Sequence, residues 1–270
     1  LAFDVKVGVV APPTHHITQE TMTHEERVAL IRLLAARYEQ PTFLDGDPSW
    51  FMHQVRGREN AEMMGFLASV LSYGRRDLFL PKIQYLLDSS EGEPQRWVRE
   101  GLYSNAIANN DACYYRLYSN RMMRSLLDAL REMVTNYGSL GDFARTMSPH
   151  HKALEALTAL ADWFVQRGIK GMVPSPKTSV AKRPCMFMRW MVRDSSPVDL
   201  GLWTDFIDKR SLFIPLDTHV MQEAQKLGLI SAKSASWRTV TTLTTALSTI
   251  FPDDPTKGDF ALFGYGITEK

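Results

Sequence analysis

The sequence predicts an all-α protein, and three observations carry that prediction. Apolar residues recur at helical rather than alternating spacing along most of the 270 residues. The periodic stretches open on Ser, Thr or Asp and close on Gly or Pro, the residues that cap and stop helices. Strand-like alternation is scarce and β-branched clusters are short, which leaves a packed array of roughly a dozen helices.

The elements follow in order. Residues 1–22 read as irregular, with Pro12-Pro13 forbidding a continuous helix. Thr23-His24-Glu25-Glu26 is a capping box, and Val28, Ile31, Leu34, Ala35 and Tyr38 follow at helical spacing until Pro41. A second helix, Asn60 to Leu71, is apolar on nearly every side. It ends in Ser72-Tyr73-Gly74-Arg75-Arg76, and Asp77 stands ready to cap the next helix through Leu78, Phe79, Ile83, Leu86 and Leu87. Helical periodicity returns at 95–107, 120–136 and 149–167. The last of these opens on Ser148-Pro149, a cap followed by proline at the first position, and stops at Gly168. A connector stiffened by Pro174 and Pro176 then leads into a helix over Arg183–Arg193 that carries Met186, Phe187, Trp190 and Met191. Asp217 to Leu227 is another helix, closed by Gly228. Ala235 to Ile250 is a threonine-rich one, and Asp254-Pro255 opens the last near Phe260. No internal repeat or low-complexity tract appears.

Composition narrows the function. Hydrophobic residues make up 44% and charged residues 23%, ordinary for a globular protein with a core. Formal net charge is +1, so any footprint for a polyanion must be local. Cys113 and Cys185 are the only cysteines, too few for an iron–sulfur cluster or a four-cysteine zinc site, and they suit a reducing compartment. The opening residues lack the pattern of a signal peptide, and no run is long and apolar enough to span a membrane. A cytoplasmic protein without cofactor is the expectation. Histidines at 15, 16, 24, 53, 150 and 151 show no metal spacing with nearby acids. Walker, dinucleotide and nucleophile-elbow motifs are absent.

Two features point to chemistry. Between Trp163 and Arg193 stand seven basic residues, Arg167, Lys170, Lys177, Lys182, Arg183, Arg189 and Arg193, with no acid among them. Such a run suits a phosphate backbone, and a solvated face whose charges pair with distant acids explains the run by itself equally well. Its placement on a proline-stiffened connector leading through Ser179 to a helix start favours phosphate binding. Within it, Lys182 opens a helix, where the positive dipole end and neighbouring arginines disfavour its charged form and so favour a nucleophilic amine. The second feature is Asp217, in Pro215-Leu-Asp-Thr-His-Val220. It reads as an N-cap, and the apolar run before it suggests a partly desolvated carboxylate, able to take a proton or to stabilise an oxocarbenium ion.

Three segments resemble, in order, the helix-hairpin-helix DNA glycosylase superfamily, which includes endonuclease III and the 8-oxoguanine glycosylases. They are Gly65 to Asp77, Ala181 to Arg189, and Leu216-Asp217-Thr218-His219-Val220. Within that superfamily the chain resembles most a bacterial family of unknown function, domain of unknown function 2400. That likeness rests on Glu62 to Arg76, Lys182 to Arg193, Ile214 to Val220, and Asp259-Phe-Ala-Leu-Phe-Gly-Tyr-Gly266. The chain departs from the superfamily in four places. The first is the 35 positions between Lys182 and Asp217, longer than in endonuclease III and closer to an archaeal 8-oxoguanine branch. Pro174-Ser-Pro-Lys-Thr-Ser-Val180 stands where the Gly-x-Gly hairpin turn is usual. Gly74 and Arg75 replace a glutamine, and the C-terminal four-cysteine cluster is missing.

The resemblance implies a two-lobed helical array, with 23–60 and 229–270 as one lobe and 61–228, containing the hairpin-like element, as the other. It implies a monomer that binds double-stranded DNA at the nucleoid and flips a damaged or mispaired base. Lys182 would attack the anomeric carbon with Asp217 assisting, giving an N-glycosylase with scope for AP-lyase action. Lys177, Ser179, Arg183, Arg189 and His219 would contact phosphates, while Tyr73, Arg75 and Arg76 would probe the duplex. A DNA-binding protein of the same shape that has lost the chemistry is the alternative, and a helical protein–protein adaptor is a third reading.

Overall fold

Thr23 opens the first helix as its spacing requires. Its hydroxyl accepts the Glu26 N–H at 3.2 Å, and the Glu26 carboxylate accepts the Thr23 N–H at 2.8 Å. The computed structural model describes residues 22–268, and it is all-α apart from one small hairpin. The expected irregular segment 1–22 lies, but for its last residue, outside the described residues. The helices are α1 (His24–Tyr38), α2 (Arg58–Leu71), α3 (Arg76–Ser89), α4 (Pro94–Arg99), α5 (Tyr103–Ala106), α6 (Asn120–Tyr137) and α7 (Leu140–Met147). They continue with α8 (Ala153–Gln166), α9 (Lys182–Val192), α10 (Thr218–Lys226), α11 (Trp237–Ile250) and α12 (Lys257–Thr268). Between α5 and α6, β1 (Cys113–Tyr115) pairs antiparallel with β2 (Tyr118–Ser119), leaving Arg116-Leu117 at the tip.

Several boundaries differ from the sequence reading, each for a local reason. Asp77 does not cap α3. Arg75 holds the N-cap position, and Asp77 sits one residue inside the helix, where a carboxylate still suits the positive end of the dipole. The expected helix over 95–107 breaks into α4 and α5 at Glu100-Gly101, the glycine taking φ +72°. Ser148 does not open α8. It closes α7, which the sequence reading missed, and its hydroxyl donates to the Ala144 carbonyl at 2.6 Å. The start of α8 is satisfied from a distance instead, the Ala153 N–H donating to Ser211 Oγ at 2.9 Å.

Two hydrophobic cores result. The larger gathers around α2, which is buried along most of its length, and takes in α6, α7, α8 and the buried side chains of α9. The smaller is built from α1, α10, α11 and α12 with Ile214, Leu216 and Ile230. Their edges do not coincide with the expected lobes: Phe51 and Met52 join the larger core, while Ile214, Leu216, Val220 and Ala224 join the smaller. Lys182 and Asp217 therefore start helices that belong to different cores.

Glu62, fully buried on α2, holds the larger core to its neighbours. Its carboxylate accepts the Trp203 indole N–H at 2.8 Å, the Gly141 N–H at 2.9 Å and Arg58 Nε at 3.0 Å. A buried carboxylate is tolerable only when its lone pairs are used in this way. Replacing Glu62 by Ala strands two buried N–H donors, so the expected loss is about 3 kcal/mol of folding free energy, read from urea melts. A midpoint equal to wild type would contradict this role.

Candidate active site

Helix α9 begins at Lys182 because the connector before it turns sharply. Ser179 Oγ donates to the Ser175 carbonyl at 2.9 Å and accepts the Ala181 N–H at 3.1 Å. Ala181, fully buried, then takes the left-handed conformation, φ 46° and ψ 35°. That geometry is unusual for a residue bearing a Cβ, and it persists only where its surroundings enforce it. Two residues on, Arg183 anchors the start of α9 to its surroundings. Arg183 donates to the Val70 carbonyl of α2, to the Tyr118 hydroxyl of the hairpin at 2.7 Å and to the Gly171 carbonyl at 2.9 Å, while its guanidinium lies 5.0 Å from the centre of the Tyr73 ring. Arg183 is thus a brace that fixes where Lys182 emerges.

Asp217 caps α10 as its sequence position suggests, with Oδ1 accepting the Val220 N–H at 2.9 Å. Its other oxygen, Oδ2, lies 3.1 Å from Lys182 Nζ. One carboxylate therefore bridges a helix N-terminus and an amine from the other core. The lysine side chain remains 33% exposed and the aspartate 14%, so the pair is open to solvent on the lysine side. The group that meets the Lys182 amine is a carboxylate, not an arginine, because Arg183 is turned toward the hairpin and α2.

Below this pair, one stripe of α9 carries further cations at Arg189 and, just past its end, Arg193. Arg189 pairs with Asp259 of α12, and its Nε lies 3.3 Å from Asp199. Arg193 pairs with Asp199, with Glu39 at 2.7 Å and with Asp254 at 2.8 Å. Both guanidinium groups lie near the Phe260 ring, 4.5 and 5.1 Å from its centre. Lys182, Arg189 and Arg193, with Lys257 3.6 Å from Glu39, thus face five carboxylates, most of them out of water. Burial pushes the Asp259 carboxyl up to about 6; Arg189 opposes the rise, Asp217 adds to it and Lys182 opposes it. Burial likewise pushes the Cys185 thiol up, which makes it unsuited to nucleophilic chemistry.

The remaining expected contacts fare differently. Arg189 is 3% exposed and committed to Asp259 and Asp199, so it cannot reach a phosphate. Ser179 and Arg183 serve the connector and the brace, as described. Lys177 is exposed but paired with Asp162 at 2.7 Å, Arg75 is exposed and paired with Asp77, and Arg76 contacts Asp47 at 3.2 Å. Tyr73 packs against Tyr115 and Tyr118, and burial pushes its hydroxyl up to about 12. His219 lies half-buried in the first turn of α10. Of the seven cations in 163–193, only Lys170 and Arg183 lack a carboxylate partner among the described residues; Arg167 takes Glu132. The solvated-run reading, in which distant acids neutralise these charges, therefore describes most of the segment.

Sequence reasoning placed Asp259 in the Asp259–Gly266 motif without giving it a role, and it missed Leu117. Asp259 stands at the head of the apolar run Phe260 to Phe263, and an acid at that edge was the available signal. Leu117, at the hairpin tip, is 82% exposed. A cavity of about 730 Å³ lies between α8 and residues 210–213. None of the expected site residues lines it, although Asp162 on its wall holds Lys177. Among the described residues there is no cluster of three His, Cys, Asp or Glu able to hold a metal, and no helix long and apolar enough to cross a membrane.

The match to a family model is extensive, running over residues 47–268. The chain belongs to DUF2400, a family of proteins of unknown function. The match spans α2 through α12, and so covers Lys182, Asp217, Arg189 and Asp259 together. No curated protein and no solved structure matches the chain.

The raised Asp259 carboxyl has a consequence for stability. Its ordinary value is 3.8, so the folded state holds this proton more tightly than the unfolded chain. Its favourable contribution is full below about pH 4 and is lost as pH rises through about 6. Against Asp259→Asn, which does not titrate, the wild type is expected to lose up to about 3 kcal/mol between acid and neutral pH. Urea melts of both proteins at several pH values measure that difference, and a pH-independent difference would contradict it.

Proposed function

We propose that this protein is a DNA N-glycosylase with an associated lyase activity, acting on a base flipped out of duplex DNA. The observation that carries the reading is the 3.1 Å contact between the partly exposed Lys182 amine and the capped Asp217 carboxylate, brought together from two cores. The three segments similar to helix-hairpin-helix glycosylases contain both residues and support the same assignment.

The chemistry assigns each group a task. Asp217 accepts a proton from the Lys182 ammonium, and the freed amine attacks C1′ of the extruded nucleotide. The glycosidic C1′–N bond breaks, and the base leaves with the bonding pair and takes the proton that Asp217 had accepted, which returns Asp217 to its anionic form. Asp217 then offsets positive charge at the sugar as the ring opens to a Schiff base between Lys182 and C1′. Loss of a C2′ proton and cleavage of the C3′–O bond release the 3′ phosphate as a leaving group, and hydrolysis of the imine frees the lysine.

Duplex engagement in this reading relies on shape more than on charge. Arg183 ties the hairpin to the start of α9, so the exposed Leu117 tip and Lys182 are linked through one residue. An apolar side chain at such a tip is suited to entering a base step and unstacking it, at a cost of a few kcal/mol. Because most cations of the 163–193 run are already paired, few remain to displace counterions.

Borohydride treatment with a duplex carrying an abasic site is expected to yield a covalent adduct on Lys182 that is absent from Lys182→Gln. Failure to form any adduct removes the lyase assignment. Titrations at several salt concentrations are expected to give a shallow dependence, corresponding to roughly three neutralised phosphates and a log–log slope of about −3. A slope beyond about −6 would show that the internal pairing does not hold when DNA binds.

A further inference from the structure

The Asp259–Gly266 motif takes no part in the chemistry just assigned, yet its helix touches the elements that position the reacting pair. At its first turn, Asp259 pairs with Arg189, which lies seven residues, two turns, beyond Lys182 on α9. Near its other end, Gly266 lies against α10. A Cβ there would stand 3.1 Å from Glu223 Cγ and 3.3 Å from His219 Cβ. Between them Gly264 admits Tyr38 of α1, which a Cβ would meet at 2.3 Å. Helix α12 thus grips α9 through an ion pair and α10 through close backbone approach. The space between α9 and the start of α10 is the one that Lys182 and Asp217 bridge.

We propose that Asp259 is a positioning residue for the Lys182–Asp217 pair: with Arg189 it fixes α9 against α12, and thereby sets how closely the amine and the carboxylate approach. The function of that pair is the reading given above, but the geometric claim stands without it. Both Asp259 and Arg189 are buried, so water and salt screen their contact little. The groups facing Asp259 are Arg189, Lys182 and the Cys185 thiol from α9, Asp217 from α10, and Asp199 from the loop after α9. Protonating Asp259 leaves Arg189 with Asp199 as its charged partner, so the tie loosens on acidification through about 6.

The test uses the DNA-free protein. Lys182 is labelled with formaldehyde and cyanoborohydride, and its rate of methylation is read by peptide mapping, with the other lysines as internal references. At about pH 7.5, Asp217→Asn is expected to speed labelling about threefold, as release of a partly exposed ion pair should. Asp259→Asn is expected to give at least half that acceleration, and Asp259→Glu, which keeps the charge, to restore most of the wild-type rate. At about pH 5.5 the difference between wild type and Asp259→Asn is expected to shrink, a change that loss of packing alone would not produce. Asp259→Asn labelling at the wild-type rate at the higher pH overturns the proposal, as does a wild-type rate for Asp217→Asn.

If Asp259→Asn does not fold, Gly266→Ala decides. It presses on α10 from the other end of α12 and is expected to accelerate labelling in the same way, while an unchanged rate overturns the claim. Trapping on abasic DNA adds a second readout. Asp259→Asn is expected to form adduct about tenfold more slowly with duplex affinity within about twofold of wild type. Wild type that labels as expected but never traps removes the lyase reading and leaves the positioning role standing.

Discussion

Buried charge must be paired, and in this protein that requirement organises the junction between two cores. Arg189 and Arg193 are almost wholly out of water, and neither could remain there without carboxylates at hand. The acids come from the end of α1, the loop after α9, the approach to α12 and α12 itself. Each pairing fixes one of those segments against α9. Asp217, carried by α10 on the same small core, is brought to Lys182 as part of that arrangement.

Solvent exposure along α9 grades from one end to the other. Arg193 and Arg189 are sealed and structural, whereas Lys182 at the helix start remains one-third exposed. One helix therefore serves as scaffold along its length and as a presenting element at its first residue. Arg183 completes the division by turning its donors inward to α2, the hairpin and the connector, which leaves Lys182 as the outward-facing cation of that turn. Burial raises the proton affinity of two acids in the network, Asp259, to about 6, and Asp199.

The helical fold and the two reacting candidates were legible because their signals are local. A capping box at Thr23, an Asp before Thr-His-Val and a lysine at a helix start can each be read within four residues. What was not legible depends on distant residues. Ser148 looks like a helix opener, but the donor at the start of α8 is satisfied by Ser211, 58 positions away. The cationic run from 163 to 193 looks free because its partners, Glu39, Glu132, Asp162, Asp199, Asp217, Asp254 and Asp259, lie outside it. The hairpin's strands are too short to leave an alternating pattern. Asp259 stands at the head of an apolar run, and only the fold reveals that it faces Arg189.

The most direct measurement is a crystal structure of the protein with a duplex carrying a tetrahydrofuran abasic-site analogue. The account predicts the analogue turned out of the stack, with the ring carbon equivalent to C1′ about 3–3.5 Å from Lys182 Nζ and Asp217 beside it. DNA bound at another face, or a duplex left stacked with Lys182 still closed on Asp217 and far from the sugar, would contradict it.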